Sequence, residues 1–170
     1  MPDAAPPNLW HTLDKHPKPR HERMPHPFPP HWFSAYGDDQ YGLWAELTWP
    51  GEGTSLVQRM RWIEPGQFVM GSPESEAERF GDEGPQHLVT ISQGFWLADT
   101  ACTQAWWQAV MGDNPSQFSE DNGGGPHHPV EMVSWHRVQD FLGKLQTHWP
   151  GCQPGLPTEA EWEYACRAGT

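Results

Sequence analysis

The sequence predicts an α+β fold, and three observations carry the prediction. Short β-branched and aromatic runs separated by Pro-Gly and Gly-rich turns fill residues 60–98, two capped helices with apolar stripes follow, and a helix-start signature stands at Thr158. The 170 residues suit roughly one domain, and a 36% hydrophobic content with 11 Trp is enough for a packed core.

Residues 1–31 read as a Pro/His-rich disordered tail. Pro2, Pro6, Pro7, Pro17, Pro19, Pro25, Pro27, Pro29 and Pro30 remove backbone donors and favour extended conformations. His11, His16, His21, His26 and His31 recur every five residues, a step that matches neither a helix face nor a polyproline turn, so their imidazoles do not converge on a metal.

Residues 32–59 form an aromatic segment with a loop. Trp32, Phe33, Tyr36, Tyr41, Leu43, Trp44, Leu47 and Trp49 crowd together, and the segment is expected to dock on the main domain before the Pro50-Gly51-Glu52-Gly53 loop. Exposed aromatic ladders also bind sugars or bases.

The main domain then opens with strands. Met60–Ile63 runs through the Pro65-Gly66 turn into Gln67–Gly71, and His87–Ser92 carries Val89, Thr90 and Ile91 in sequence. Phe95–Ala98 is a further strand, and the acidic stretch Ser72–Gly84 reads as a solvated loop.

Thr103 caps a helix over Gln104–Met111 that Gly112 ends, with Ala105, Trp106, Ala109 and Val110 on one apolar face. Ser134 caps a second from Trp135 to about Thr147, striped by Trp135, Val138, Leu142, Leu145 and Trp149 and widened by Phe141. Between them the Asn122-Gly123-Gly124-Gly125-Pro126 loop lacks the Gly-Lys-Ser/Thr of a phosphate cradle, and Pro129–Val133 reads as an apolar strand. At the third helix Thr158 and Glu161 form a capping box, with Glu159 and Glu163 one turn apart. That spacing would also suit a carboxylate pair for acid/base work or a metal, but solvated and capping roles explain it more closely.

Charge and cysteines narrow the function. Asp3, Asp14 and Glu22 against Lys15, Lys18, Arg20 and Arg23 give the tail a net of +1, so the remainder carries −13 of an overall −12. So acidic a body repels phosphate backbones, and nucleic acid is not an expected partner. No apolar run reaches the ~20 residues of a membrane helix and Met1–Pro7 lacks a secretory signal, so no membrane is expected and the expected compartment is the cytoplasm. Cys102, Cys152 and Cys166 are odd in number and widely spaced, which argues against a disulfide framework. Together with His127, His128, His136 and His148 they match no compact zinc or copper pattern, so buried thiols and surface imidazoles are expected and no metal site is assigned.

Five blocks in order carry a resemblance: Ile63–Ser72, Glu83–Val89, Thr103-Gln104, Pro129–Trp135 and Leu156–Gly169, the last holding Leu-Pro-Thr-Glu-Ala-Glu-Trp-Glu-Tyr-Ala. Over residues 60–170 the chain resembles the formylglycine-generating enzyme (sulfatase-modifying factor) family. The resemblance implies a partial C-type-lectin-like domain with short strands, about three helices and much irregular structure. For enzymatic members it implies an oxidoreductase that uses oxygen to convert a substrate cysteine to formylglycine. Copper, with calcium as a further candidate, belongs to the complete family domain; a protein or peptide is the candidate substrate. Relatives also include non-catalytic lectin-fold modules that bind ligands or proteins, so fold does not settle activity.

In the enzymes the copper-binding cysteine pair lies downstream of the block matching Leu156–Gly169. No catalytic, cofactor-binding or metal residue is therefore carried onto Cys102, Cys152 or Cys166. The expectation is an N-terminal, truncated part of a longer domain, inactive alone, with apolar patches left exposed where strands are too few to cover Trp135–Trp149 and the Trp162 helix.

Overall fold

A computed structural model describes residues 28–51 and 55–168. The tail's prolines before Phe28, and the histidines from His11 to His26, lie outside the described residues. The chain divides into two compact units, one holding the described residues up to Ile63 with Trp96–Leu156, the other Glu64–Phe95 with Pro157 onward. Mixed helix and sheet, with short antiparallel strands and three helices, makes the fold α+β.

In the first unit β1 (Ala35–Asp39), β2 (Gly42–Trp49), β3 (Leu56–Ile63) and a later strand build one sheet. The aromatic segment thus supplies two strands of that sheet. Its alternation explains why: Ala45 and Leu47 are buried on one face, while Trp44, Glu46 and Thr48 point to the other. On that second face Arg59 bonds Glu46 through Nε at 3.2 Å and Nη2 at 2.8 Å and lies 4.5 Å over the Trp44 ring, and Arg61 bonds both Asp39 oxygens at 2.8 Å. Among the described residues of this unit, paired charges and rings therefore line that face.

The buried face meets the helices. Thr103 accepts the Trp106 N–H to cap α1 (Gln104–Met111), and Gly112, at φ 90, ends it in the left-handed region that only glycine enters freely. Ser134 accepts the Arg137 N–H to cap α2 (Trp135–His148). Leu47, Trp106, Trp107, Val110, Phe141, Leu145 and Trp149 form the core between sheet and helices, with Trp107 stacked on Phe141 at 5.1 Å. Three expectations need correction here. Trp107 and Gln104, not Ala109, share the buried face of α1 with Trp106 and Val110, because the helix is turned toward Phe141. Trp135, the first residue of α2, is 63% exposed and lies outside the core cluster that Phe141, Leu145 and Trp149 join. Pro129–Val133 makes a single bridge to Thr103 and is no strand: Pro129 offers no N–H, and Met132 turns to φ 59.

In the second unit β4 (Gly66–Met70) pairs with β5 (His87–Ile91) antiparallel, from Gly66 opposite Ile91 to Met70 opposite His87. Beyond it β6 (Phe95–Ala98) joins β3 at the edge of the first sheet. Phe68, Val69 and Ile91 are buried, and α3 (Glu159–Arg167) packs on the hairpin through Tyr164, whose ring sits 5.3 Å from that of Phe68.

Candidate functional site

The helix start at Thr158 fixes one wall of a cleft in the second unit. Thr158 N–H donates to Glu161 Oε2 at 2.8 Å, and Glu161 N–H donates back to Thr158 Oγ1 at 3.2 Å. This reciprocal box orients the first turn, so Glu159 and Trp162 face solvent along the same wall.

Glu163, one turn on, is not a solvated carboxylate as the spacing suggested. Its Oε1 accepts from Gly71 N at 2.9 Å and from Arg167 Nε at 2.7 Å. Arg167 Nη2 and Gln86 Nε2 both donate to Gly71 O, at 3.0 and 3.1 Å. Both backbone groups of Gly71 are thereby held by side chains. The residue must be glycine on two counts: φ is +94, and a Cβ would stand 2.5 Å from the carbonyl oxygen of Glu83.

The opposite wall is the connection between β4 and β5. A 3₁₀ turn at Gly81–Glu83 brings the Glu83 carboxylate back to accept from Ser72 Oγ at 2.6 Å and from the Phe80 N–H at 3.1 Å. The Ser72 hydroxyl first, and then the Phe80 amide, hold that carboxyl below its ordinary range despite some desolvation. The walls enclose an open cleft of about 780 Å³, lined among others by Phe80, Asp82, His87, Glu159, Trp162 and Arg167. A smaller recess of about 470 Å³ lies between Ser72, Arg79, Gly84 and Gln86. With Phe80 73% and Trp162 58% exposed beside the exposed carboxylates of Asp82 and Glu159, the cleft can hold a ligand that is apolar in part and cationic in part. Sequence reasoning placed Glu159 and Glu163 on one helix but missed that the Ser72–Gly84 loop folds over against them; the signal was the Gly71-Ser72 pair together with Glu83, a turn residue and two partners.

The three cysteines are free thiols. Cys102 and Cys152 pack at the margin of the first unit's core, and Cys166 is exposed on α3. Burial pushes the Cys102 thiol up to about 11, and burial also raises Cys152 against a weaker lowering by the Gln153 backbone. Both are thus poor sources of thiolate. His127, His128, His136 and His148 are exposed, and among the described residues no three His, Cys, Asp or Glu side chains gather as a metal site.

A polar centre in the first unit went unseen in the sequence. Gln104, 2% exposed, donates to Phe118 O at 2.9 Å and Pro129 O at 3.3 Å and accepts from Asn114 Nδ2 at 2.9 Å. Ser116 and Glu131 extend the network, through Glu131 N to Ser116 Oγ at 3.2 Å and Phe118 N to Glu131 Oε1 at 2.8 Å. These bonds pin the irregular stretch between α1 and α2 and supply no reactive group.

Comparison with known proteins matches residues 48–170 to the sulfatase-modifying factor enzyme 1-like domain. The chain is similar to the formylglycine-generating enzyme of Streptomyces coelicolor, 38% identical over 98 residues that cover 56% of this chain and 29% of the relative. The chain therefore spans less than a third of that relative's length. Treponema denticola variable protein 1 shares the fold at a TM-score of 0.56 and 25% identity, covering 74% of this chain and 57% of that one. PvdO from Pseudomonas aeruginosa does so at 0.59 and 22%, covering 81% and 52%.

Proposed function

Because the chain belongs to the sulfatase-modifying factor enzyme 1-like family, we propose that it is the substrate-holding part of a formylglycine-generating-enzyme-like oxidase, with the cleft of the second unit receiving a peptide. The observation that carries this reading is the pair of exposed rings, Phe80 and Trp162, set beside the exposed carboxylates of Asp82 and Glu159 on walls locked to Gly71. Rings supply apolar area and a face for a cation, and the carboxylates favour a basic side chain. A peptide presenting a cysteine with a nearby arginine, such as Cys-x-Pro-x-Arg, meets both demands.

The oxidation itself is assigned elsewhere. The three thiols do not fit the copper that the family implies: copper needs thiolates, whereas burial raises Cys102 and Cys152, and among the described residues no three His, Cys, Asp or Glu side chains gather. These thiols therefore do not carry the oxidation, and the chain by itself is expected to bind without converting. The cytoplasm fits the free thiols of this reading. Among the described residues no helix is long and apolar enough to cross a membrane.

Fluorescence anisotropy of a labelled Cys-x-Pro-x-Arg peptide, titrated with the full chain, tests the reading. Binding should weaken about tenfold or more in Trp162→Ala, the loss of one buried ring contact at a hot spot, and less in Glu159→Gln. Unchanged affinity in both variants would refute it. The second reading, a non-catalytic lectin-fold binding module, rests on the same cleft and predicts binding that does not depend on the peptide's cysteine.

A further inference from the structure

We propose that residues 72–85 form a movable jaw over the cleft and that Glu83 is the latch that holds it. The role in admitting ligand rests on the cleft being the binding site; the latch does not.

Residues 73–82 are fastened to the base of the connection chiefly through Glu83 and Ser72. Ser72 N–H donates to Glu83 O at 3.0 Å, Ser72 Oγ to Glu83 Oε2 at 2.6 Å, and the Phe80 N–H to Glu83 Oε1 at 3.1 Å. One carboxylate thus joins the first residue of the jaw to its tip.

Several features oppose the latched arrangement. Glu74, Glu76, Glu78 and Asp82 are all exposed within the same short span, and their mutual repulsion favours a more open path. Glu78 sits at φ 64, a region that residues with a Cβ leave readily. The Arg79 side chain is folded into the space that glycine leaves at Gly84, with its Nε buried and unpartnered. Opening would return that donor to water, at the loss of the attraction between the Arg79 charge and the Glu83 carboxylate. Phe80 rides at the tip, 73% exposed, on the same cleft as Trp162.

The base is anchored separately. Gly71 is gripped by Glu163 and Arg167, and Gln86 bonds Gly71 O. A jaw with a fixed base, a single latch and an apolar tip swings as a unit when the latch gives way.

Limited trypsin digestion of the full chain tests this, because Arg79 is the one Lys or Arg between Ser72 and Gln86. Cleavage at Arg79–Phe80, read by mass spectrometry, follows the population of the open jaw. Loss of hydrogen bonds to a charged group should raise that population about tenfold or more in Glu83→Ala. Ser72→Ala, which removes one of the bonds, should give a smaller rise, and Glu83→Gln, which keeps the shape without the charge, should fall between wild type and Glu83→Ala. Near-ultraviolet circular dichroism checks that each variant is folded, and if Glu83→Ala unfolds, Ser72→Ala carries the test. Equal cleavage in wild type and the folded variants would overturn the latch. Added Cys-x-Pro-x-Arg peptide should slow cleavage of wild type; if it does not while the variants still differ, the latch stands and the cleft reading fails.

Discussion

Trp107 is the largest fully buried side chain among the described residues. It is 1% exposed, stacked on Phe141, and covered by the Arg137 guanidinium 5.5 Å away, itself paired with Asp113. Trp107→Ala should cost about 3 to 5 kcal/mol in urea unfolding, the range for emptying a buried aromatic site; a loss under about 1 kcal/mol would mean the site collapses freely. Carboxylates set the acid limit. Arg61 holds Asp39, Ser72 holds Glu83 and Arg137 holds Asp113, each below its ordinary range. A folded value that is depressed contributes stability fully above the unfolded value, about 3.9 to 4.3, and loses it as pH falls through the folded value. The urea midpoint should therefore drop between pH 6 and pH 3, and drop less in Asp113→Asn; a flat profile would contradict these assignments. At this scale the sequence was only partly legible. Trp106 was visible as core because Val110 follows at four residues, whereas Trp107 was hidden by the polar Gln104 one turn before it, whose burial depends on bonds to Asn114, Phe118 and Pro129 that no local pattern announces.

Elements were most readable where a cap chemistry marked their ends. Thr103 with Gly112, and Ser134, mark the first two helices within a residue of expectation, and the Thr158–Glu161 box marks the start of the third, because each cap satisfies backbone donors or acceptors by purely local bonds. Thr158→Ala should cost about 1 kcal/mol and loosen the first turn that carries Trp162; thermal unfolding with peptide titration would show both, and an unchanged midpoint would deny the box its role. Strands were less readable. The β4–β5 pair emerged from β-branched runs and Phe95–Ala98 from an aromatic one, but β2 was masked because Trp44 and Trp49 put aromatics on both faces, although Ala45-Glu46-Leu47-Thr48 alternates cleanly. Pro129–Val133 erred the other way: its apolar content promised a strand that Pro129 and the left-handed Met132 prevent. Gly71→Ala tests the junction between hairpin and helix, where a Cβ would meet Glu83 O at 2.5 Å with φ at +94. It should destabilise by about 1 to 3 kcal/mol, and a neutral outcome would show that the hairpin shifts without cost.

For the whole molecule, the family was legible from five ordered blocks because they are the pieces with fixed chemistry: a glycine with no room for a side chain, a capping box, a helix start. The cleft was not, since it arises when the β4–β5 connection and α3 meet at Gly71 through bonds that span 92 and 96 residues of sequence. Large apolar side chains stay open in both units, Met132 at 69% and Trp135 at 63% in one, Phe80 and Trp162 in the other. Surfaces of that kind serve as contact sites, and a hydrophobic dye should bind the folded chain at neutral pH; no dye signal from a cooperatively folding sample would contradict the exposure.

We propose that the cleft between α3 and the β4–β5 connection holds a basic, cysteine-bearing peptide. A Cys-x-Pro-x-Arg peptide carrying a photoreactive benzophenone beside its arginine, irradiated with the full chain and mapped by mass spectrometry, tests it most directly. Adducts within residues 70–87 and 159–167 that disappear with excess unlabelled peptide are the predicted result; adducts confined to the first unit, or none that competitor removes, would contradict it.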